Sequence, residues 1–257
     1  GKSISTLTKI WNWLGAAGFT RSDLVIGIGG GAITDLAGFA AASWLRGLDW
    51  VAVPTSLAGM VDASVGGKTG INSDYGKNLI GAFHSPIAVI IDTAFLKTLS
   101  DRDFSAGMAE VIKCGFIADR KILDVAIAHT VDSVRRNPDV ISELIHRAVM
   151  VKAQVVSSDF KESFAREVLN YGHTLGHAIE IHAKYQLRHG EAVAIGLVYA
   201  AELAAARGLI TASELDLHRT ILVAYKLPIT FDRQAWQKLA PLLALDKKAR
   251  GTTIRFV

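Results

Sequence analysis

Residues 24–31 read Leu-Val-Ile-Gly-Ile-Gly-Gly-Gly, a continuous apolar run that enters a glycine turn. Continuous apolar runs are typical of parallel strands, which are buried on both faces. The residues that follow have helical character through Asp35, Phe39, Ala42 and Trp44. A strand, a glycine turn and a helix in this order present backbone N–H groups and a positive helix end to a phosphate. The spacing is not G-x-G-x-x-G, so a tight turn without a ligand stays open as an alternative.

The segments on either side extend this pattern. A helix is predicted over residues 5–17, a second buried strand over residues 48–53 and a third over residues 88–92. Strands that alternate with helices in this way indicate an α/β fold with a parallel sheet. We therefore predict a Rossmann-like nucleotide-binding domain, incomplete in this chain, over residues 1–96.

From about Phe95 onward the chain reads as one amphipathic helix after another. This change in pattern predicts a second, mostly α-helical domain over residues 97–257, with a strand at residues 252–257. The predicted helices cover residues 106–117, 121–129, 138–157, 172–182, 190–207, 213–226 and 234–243.

The composition restricts the class of protein. Of 257 residues, 50% are hydrophobic and 20% are charged, which is typical of a globular chain. The net charge of +4 is spread along the sequence, which favours a small anionic substrate over nucleic acid. Cys114 is the only cysteine, as expected in a reducing compartment. No apolar run reaches the roughly 18 residues of a membrane helix, and no leader is visible, so we expect a cytoplasmic protein.

A polar, glycine-rich segment separates the second and third predicted strands, and we predict it to be a loop. The triplet at residues 67–69, Gly-Lys-Thr, invites comparison with a phosphate-binding P-loop. We reject that interpretation because Asp62 stands where the motif needs glycine, and a carboxylate there would repel a triphosphate. A solvated loop without a ligand remains the alternative. The polar side chains of the segment are Asp62, Lys68, Asn72, Lys77 and Asn78.

The densest group of histidines begins in residues 170–177, which read Asn-Tyr-Gly-His-Thr-Leu-Gly-His. His173 and His177 lie four residues apart, so on a helix they share one face. Glu180, His182 and His189 follow closely. These could be satisfied histidines on a packed helix, but their spacing and the nearby carboxylates favour a metal site.

A second acidic position completes a candidate ligand set. Glu110 and Lys113 are three residues apart on a mostly apolar predicted helix, where a buried acid needs a cation or a metal as partner. A surface ion pair is the alternative. If Glu110, His173 and His189 bind one metal, two imidazoles and a carboxylate leave a fourth position open, as in catalytic zinc sites. His177 would then be available as an acid or base.

Other cations in the helical half suggest how an anion could be held. Arg166 precedes Asn170 by about one turn and His173 by two, so the three could face one cleft. Lys152 lies on a predicted helix where a solvated lysine is the default, and Lys247 and Lys248 suggest a solvated turn. The residues alone therefore predict a metal- and nucleotide-dependent enzyme that acts on a polyhydroxylated anion.

Several long motifs together resemble the 3-dehydroquinate synthase family, and the resemblance covers essentially the whole chain. They are GGG at 29–31, DLAGF at 35–39, PTS at 54–56, MVDASVGGKT at 60–69, GKNLIGAF at 76–83, AEVIK at 109–113 and NYGHTLGH at 170–177.

The resemblance implies a reaction and its cofactors. Family members convert 3-deoxy-D-arabino-heptulosonate 7-phosphate to 3-dehydroquinate and phosphate in the shikimate pathway. The steps are NAD-dependent oxidation, β-elimination of phosphate, reduction and an intramolecular aldol closure. The implied cofactors are NAD and a divalent cation, zinc or cobalt.

The resemblance also implies roles for individual residues. The matching metal ligands are Glu110, His173 and His189. The matching catalytic and substrate-pocket residues are Asp62, Lys68, Asn78, Lys113, Lys152, Arg166, Asn170 and His177. The matching NAD contacts are Gly30, Gly31, Ala32, Asp35, Thr55, Ser56, Lys77, Thr98, Leu99 and, less closely, Lys2. Arg46 matches an arginine that reaches the phosphate site of a neighbouring subunit, which implies a homodimer. One of Lys247 and Lys248 matches a further substrate-binding lysine.

Three rival interpretations remain at this stage. Another sugar-phosphate cyclase would share the scaffold and cofactors, although Lys152, Arg166 and Asn170 fit dehydroquinate synthase. A metal-dependent alcohol dehydrogenase of the related superfamily would turn over NAD, and the lysines and asparagines around Asp62 argue against it. Family members are longer than this chain and contain strands and acidic ribose contacts that it lacks, so a non-catalytic binding fragment is the third possibility.

Overall fold

The computed structural model describes residues 1–161, 165–243 and 256–257. The chain forms two compact units. The first comprises Gly1–Leu99 and Lys152–Lys161, and the second comprises Ser100–Val151 and Glu162–Val257. The expected division into domains of residues 1–96 and 97–257 stays a prediction.

The first unit contains a parallel sheet and an antiparallel hairpin. In chain order its helices and strands are α1 (Ile4–Ala16), β1 (Leu24–Gly29), α2 (Gly31–Ser43), β2 (Asp49–Pro54), β3 (Lys68–Ser73), β4 (Gly76–Phe83) and β5 (Ala88–Val89). The parallel sheet has the order β1-β2-β5, and β3 pairs with β4 in the antiparallel sense. The predicted α/β class with a parallel sheet is therefore confirmed. The prediction that β1 is buried was wrong, because β1 lies at the edge of the described sheet and exposes Leu24, Ile26 and Ile28.

Close packing places helix α2 directly against strand β1. A Cβ atom added at Gly27 would lie 2.6 Å from the Cβ of Ala37, so only glycine permits this approach. The register of the sheet pairs Gly29 with Pro54, so β1 and β2 end side by side. The residues that follow both strands therefore meet at the carboxyl edge of the sheet, where α/β folds bind ligands.

The prediction of a loop between the second and third strands was wrong. The segment contains a short π-helix at Gly59–Ala63, followed by the β3–β4 hairpin. Thr69 and Ile71 are buried, and a Cβ at Gly81 would lie only 2.0 Å from the Thr69 carbonyl oxygen. The glycines permit close strand pairing and are not only turn residues. Lys68 begins strand β3, whereas a P-loop lysine leads directly into a helix, so the rejection of the P-loop is confirmed.

The second unit is helical, as predicted. The helices that it contributes are α3 (Asp101–Ile117), α4 (Arg120–Ala128), α5 (Val131–Arg136), α6 (Pro138–Ser158, whose last residues belong to the first unit), α7 (His173–His182), α8 (His189–Ala206), α9 (Ala212–Ala224) and α10 (Trp236–Leu243). Only α5 has no counterpart among the predicted helices. Most of the strand predicted at residues 252–257 lies outside the described residues.

Helices α7, α8 and α10 enclose one apolar core of the second unit. Its buried residues include Leu175, Ile179, Ile195 and Leu239. This packing fixes α7 and α8, which carry the histidines that the sequence singled out. Among the described helices, none is both long enough and apolar enough to cross a membrane.

Candidate active site

Glycines bring three helices of the second unit unusually close together. A Cβ at Gly190 on α8 would lie 1.8 Å from the Ala106 carbonyl oxygen on α3. A Cβ at Gly196 would lie equally close, at 1.8 Å, to the carbonyl oxygen of Gly172, the N-cap of α7. Gly172 has φ +77°, a conformation that glycine adopts without strain. These contacts position the side chains next to them, which are Glu110 on α3, His173 on α7 and His189 on α8.

Two imidazoles point at one oxygen of a buried carboxylate. Nε2 of His189 lies 3.3 Å from Oε1 of Glu110, and Nε2 of His173 lies 3.6 Å from the same oxygen. Oε1 itself is buried and accepts no hydrogen bond of acceptable geometry. Ligand atoms of the three residues lie within 4.8 Å of one another. The three side chains therefore converge on one point, and no hydrogen bond to Oε1 accounts for this convergence.

The opposite side of each imidazole is held by an acceptor. Nδ1 of His173 lies 3.1 Å from the Tyr171 carbonyl oxygen, and Nδ1 of His189 lies 3.0 Å from Oε2 of Glu180. Both Nδ1 atoms therefore carry a proton, which leaves both Nε2 atoms for Glu110 or for a bound ion. The sequence places Glu180 beside the histidines but does not indicate this contact. Its signal was its position on α7, two turns after His173.

The electrostatics of this cluster favour a cation. Burial acts to raise the pKa of Glu110, but the Lys113 ammonium and the contact with His189 outweigh it and lower that pKa. Burial acts to lower the pKa of His189, but the Glu110 and Glu180 carboxylates outweigh it and raise that pKa. Both shifts indicate that positive charge among these side chains is stabilised. Two imidazoles and one carboxylate are also a ligand set that suits zinc, so the residues fit a divalent cation.

Lys113 and His177, both predicted site residues, border this cluster. Nζ of Lys113 lies 2.5 Å from Oε2 of Glu110, and both side chains are only 2% exposed. This pair is buried, which excludes the surface ion pair considered from the sequence. The His177 ring centroid is 5.2 Å from that of His173, whereas His182 packs against Phe231 instead.

Arg166 and Asn170 lie on the 3-10 turn Ala165–Asn170, immediately before the histidine stretch. Arg166 is buried and Asn170 is half-buried. A buried guanidinium has to be stabilised by acceptors, which makes Arg166 a suitable partner for an anionic group.

His218 holds Tyr171, and sequence reasoning missed this contact. The Tyr171 hydroxyl lies 2.8 Å from Nε2 of His218, whose Nδ1 lies 2.7 Å from the Glu214 carbonyl oxygen. Phe116 stacks on the His218 ring at a centroid distance of 3.6 Å. Nδ1 therefore donates to Glu214, and the Tyr171 hydroxyl donates to Nε2. Burial raises the pKa of Tyr171 to about 12, which keeps the hydroxyl protonated.

Acidification should weaken the protein through His218. Burial lowers the pKa of His218, against the opposing effect of the Glu214 carbonyl group. Because its unfolded pKa is about 6.5, its stabilising contribution is complete above that pH and is lost as pH falls through the folded-state pKa. We expect the His218→Gln variant to lose less unfolding free energy than the wild type between pH 7 and 5. Urea titrations test this, with exposed His146→Gln as control. Parallel profiles for wild type and His218→Gln would contradict it.

Five of the predicted NAD contacts, Gly30, Gly31, Ala32, Thr55 and Ser56, lie at the carboxyl edge of the sheet in the first unit. The N-cap of α2 is Gly30, and no side chain caps this helix start. A Cβ at Gly30 would lie 3.4 Å from Oγ of Ser56, and the Thr55 N–H donates to the Gly29 carbonyl oxygen at 2.9 Å. Gly31 and Ala32 therefore begin a helix beside Thr55 and Ser56, with N–H groups suited to a pyrophosphate.

Ion pairs connect further predicted residues of this unit. Lys2 contacts both Asp35 and Asn78. Nζ of Lys152 donates to the Asp62 carbonyl oxygen at 2.5 Å and also contacts its carboxylate. Burial raises the pKa of Asp35, although Lys2 opposes this effect. Lys152 is therefore not the solvated lysine considered from the sequence.

The remaining predicted residues of the first unit lie at its surface or in turns. Lys68 and Lys77 are exposed on the hairpin, and Thr98 and Leu99 end a 3-10 turn. Arg46 is exposed in a turn where Leu45, Arg46 and Gly47 all have positive φ. Lys247 and Lys248 lie outside the described residues.

Comparison with known proteins adds an independent line of evidence. The family model for the 3-dehydroquinate synthase N-terminal region matches residues 1–106, and that for the C-terminal region matches residues 107–249. The chain belongs to the 3-dehydroquinate synthase family. The 3-dehydroquinate synthase of Paenarthrobacter aurescens is 55% identical over 257 residues, which are 100% of this chain and 71% of that protein. The Mycobacterium leprae 3-dehydroquinate synthase is 54% identical over the same share of each chain.

Solved structures of related enzymes have the same fold as this family member. A 2-epi-5-epi-valiolone synthase from Streptomyces hygroscopicus, with NAD+ and Zn²⁺ bound, superposes with a TM-score of 0.89 at 31% identity. The match covers 96% of this chain and 69% of that one. A 2-deoxy-scyllo-inosose synthase complexed with carbaglucose-6-phosphate, NAD+ and Co²⁺ gives 0.88 at 28% identity, covering 99% and 70%.

Proposed function

We propose that this protein converts 3-deoxy-D-arabino-heptulosonate 7-phosphate to 3-dehydroquinate and phosphate, using NAD and a zinc or cobalt ion. Family membership over the whole chain supports this assignment. The observation that carries it is the buried Glu110 oxygen that faces Nε2 of both His173 and His189 without a hydrogen bond. Oxidation, phosphate elimination, reduction and aldol closure make the enzyme a phosphate-eliminating lyase of the shikimate pathway.

The cofactor sites follow from the geometry of each unit. When bound, NAD would accept and return a hydride, and the divalent cation would act as a Lewis acid on a substrate oxygen. Glu110, His173 and His189 would hold the cation, with one position left for substrate. The N–H groups at the start of α2 would hold the pyrophosphate, in a nucleotide domain of residues 1–96 that precedes the helical domain of residues 97–257.

Several side chains would hold the substrate and transfer its protons. His177 is half-buried beside the metal ligands, and histidine is the side chain that enzymes use most often for acid–base catalysis. Lys113 and Arg166 would bind anionic oxygens of the substrate, because both are buried cations. Further candidates for substrate contacts are Asp62, Lys68, Asn78, Lys152, Asn170, Lys247 and Lys248.

We also propose a homodimer in the cytoplasm. Three consecutive residues with positive φ project Arg46 from an exposed turn, and strain of this kind clusters at functional positions. Arg46 would reach the phosphate site of the partner subunit. Cys114 is buried and is the only cysteine of the sequence, so no internal disulfide can form, in keeping with a reducing compartment.

Phosphate release from alternative sugar phosphates tests the assignment. We expect release from 3-deoxy-D-arabino-heptulosonate 7-phosphate only when both NAD+ and zinc are present, with no net accumulation of NADH. Sedoheptulose 7-phosphate is a seven-carbon probe that lacks the carboxylate and carries a 3-hydroxyl group, and glucose 6-phosphate is a six-carbon probe. Both should react at least about 100-fold more slowly, because neither offers a carboxylate to the buried cations proposed to bind anionic substrate oxygens.

Each other outcome identifies a rival. Phosphate release that is faster from either probe than from 3-deoxy-D-arabino-heptulosonate 7-phosphate would indicate a different sugar-phosphate cyclase. The two solved neighbours belong to that class. Net NADH formation without phosphate release would indicate an alcohol dehydrogenase. Zinc binding with no turnover of any probe would indicate a non-catalytic binding fragment.

A further inference from the structure

We propose that Glu180 is a positioning residue of the metal centre, which orients His189 and raises its basicity without contacting the ion. The proposal rests on the metal centre described above. It concerns a buried carboxylate to which neither the sequence nor the family resemblance gave a role. Its Oε2 lies 3.0 Å from Nδ1 of His189, on the side of the ring that faces away from Glu110.

The position of Glu180 follows from the geometry of α7. Glu180 lies seven residues after His173, two turns along the same helix, so the two side chains share one face. This face packs against the start of α8, because a Cβ at Gly176 would lie 3.2 Å from the Ala192 carbonyl oxygen. Helix α7 therefore supplies one candidate ligand directly and holds a second, His189, through Glu180.

A carboxylate at Nδ1 has a specific effect on an imidazole ligand. It fixes the proton on Nδ1, fixes the ring orientation and increases the electron density that Nε2 can donate. Nδ1 of His173 faces the Tyr171 carbonyl oxygen at 3.1 Å, which is a neutral acceptor. Hydrogen bonds to a charged acceptor are the stronger kind. Glu180 should therefore contribute more to metal affinity through His189 than the Tyr171 carbonyl contributes through His173.

One competing role for Glu180 has to be separated from this one. Within the residues that the structure describes, His177, Glu180 and His189 form a second group that could hold an ion. That arrangement would make Glu180 a ligand. It would have to disrupt the hydrogen bond at Nδ1 of His189 and would leave Oε1 of Glu110 without a partner. The observed geometry therefore favours positioning over ligation.

Zinc titration of the metal-free protein against a chromophoric chelator tests the proposal. We expect Glu180→Gln to bind one zinc ion with about 10-fold weaker affinity, because the amide oxygen still accepts the hydrogen bond but carries no charge. Glu180→Ala should bind one ion about 100-fold more weakly. The absorption bands of the Co²⁺-loaded Glu180→Gln variant should lie at the same wavelengths as those of the Co²⁺-loaded wild type, because the same three residues bind the ion. Glu202→Gln removes the same charge from an exposed position of α8 and should bind zinc as the wild type does.

The outcomes separate this inference from the proposed function. A graded loss of affinity, with one ion bound in each variant, supports positioning. Unchanged affinity in both variants overturns it, and so does a loss in Glu180→Gln as complete as that in Glu110→Gln, which would make Glu180 a ligand. If the wild-type protein binds no zinc, the proposed metal centre itself fails. Thermal unfolding of each metal-free variant shows whether any loss of affinity reflects loss of the fold.

Discussion

Replacing Glu110 with glutamine is expected to lower zinc affinity by at least about 100-fold and to abolish phosphate release with it. The oxygen ligands that proteins offer to zinc are the carboxylates of Asp and Glu, and the amide oxygen of glutamine carries no charge. This loss of zinc affinity should exceed the loss caused by replacing a residue that only positions a ligand, which is typically about 10- to 100-fold. Titration of the metal-free protein with zinc, followed by a phosphate-release assay, measures both effects.

The same variant should also destabilise the metal-free protein. Lys113 would remain buried with its 2.5 Å carboxylate partner removed, and removing one partner of a buried ion pair costs about 3–5 kcal/mol. The double variant Glu110→Gln/Lys113→Met removes that charge and should regain much of the unfolding free energy. It should not regain zinc affinity. Near-wild-type zinc affinity in either variant would contradict the assignment of Glu110 as a ligand.

Replacing Gly190 with alanine is expected to cost about 2 kcal/mol of stability or more and to weaken zinc binding as well. Alanine favours a helix over glycine by up to about 1 kcal/mol, so propensity alone would stabilise the protein. Sterics oppose this, because the new Cβ would lie 1.8 Å from the Ala106 carbonyl oxygen and 2.6 Å from its carbon. Backbone atoms cannot rotate away, so α8 has to move from α3, and overpacking of this kind costs about 1–3 kcal/mol or more.

Chemical unfolding and zinc titration of Gly190→Ala measure these two effects. We expect zinc affinity to fall by about 10-fold or more, because His189 adjoins the displaced residue. Gly15→Ala is a matched control, since its new Cβ would meet only the Trp44 ring, at 3.2 Å. Wild-type stability and affinity in Gly190→Ala would show that the close approach of α3 and α8 is not required.

The regular elements were predictable where one physical signal dominates. The apolar run of β1 and the 3.6-residue periodicity of α4 each specify an element without tertiary information. The β3–β4 hairpin was not predictable in this way, because Gly70 and Gly81 read as turn residues. Their actual function is to let two strands approach closely, which depends on the partner strand. Helix α5 has six residues, too few for a periodic signal.

The candidate site was likewise predictable from the sequence only in part. Spacing within α7 was enough to single out His173 and His177, and the apolar surroundings of Glu110 indicated a buried acid. The contacts of His189 with Glu110 and Glu180 join three different helices, so no local pattern encodes them. The loop assigned to Asp62 gave no hint that Lys152, 90 residues later, would be its partner. Long-range pairing of this kind has to be observed.

The most direct test of the account is to locate the metal. Crystals of the zinc-loaded protein should give a single anomalous peak at the zinc absorption edge, within about 2.0–2.2 Å of a Glu110 oxygen and of Nε2 of His173 and His189. Such a peak would establish the three-ligand centre on which the proposed function depends. A peak among His177, Glu180 and His189 instead, or none in a fully zinc-loaded protein, would contradict it.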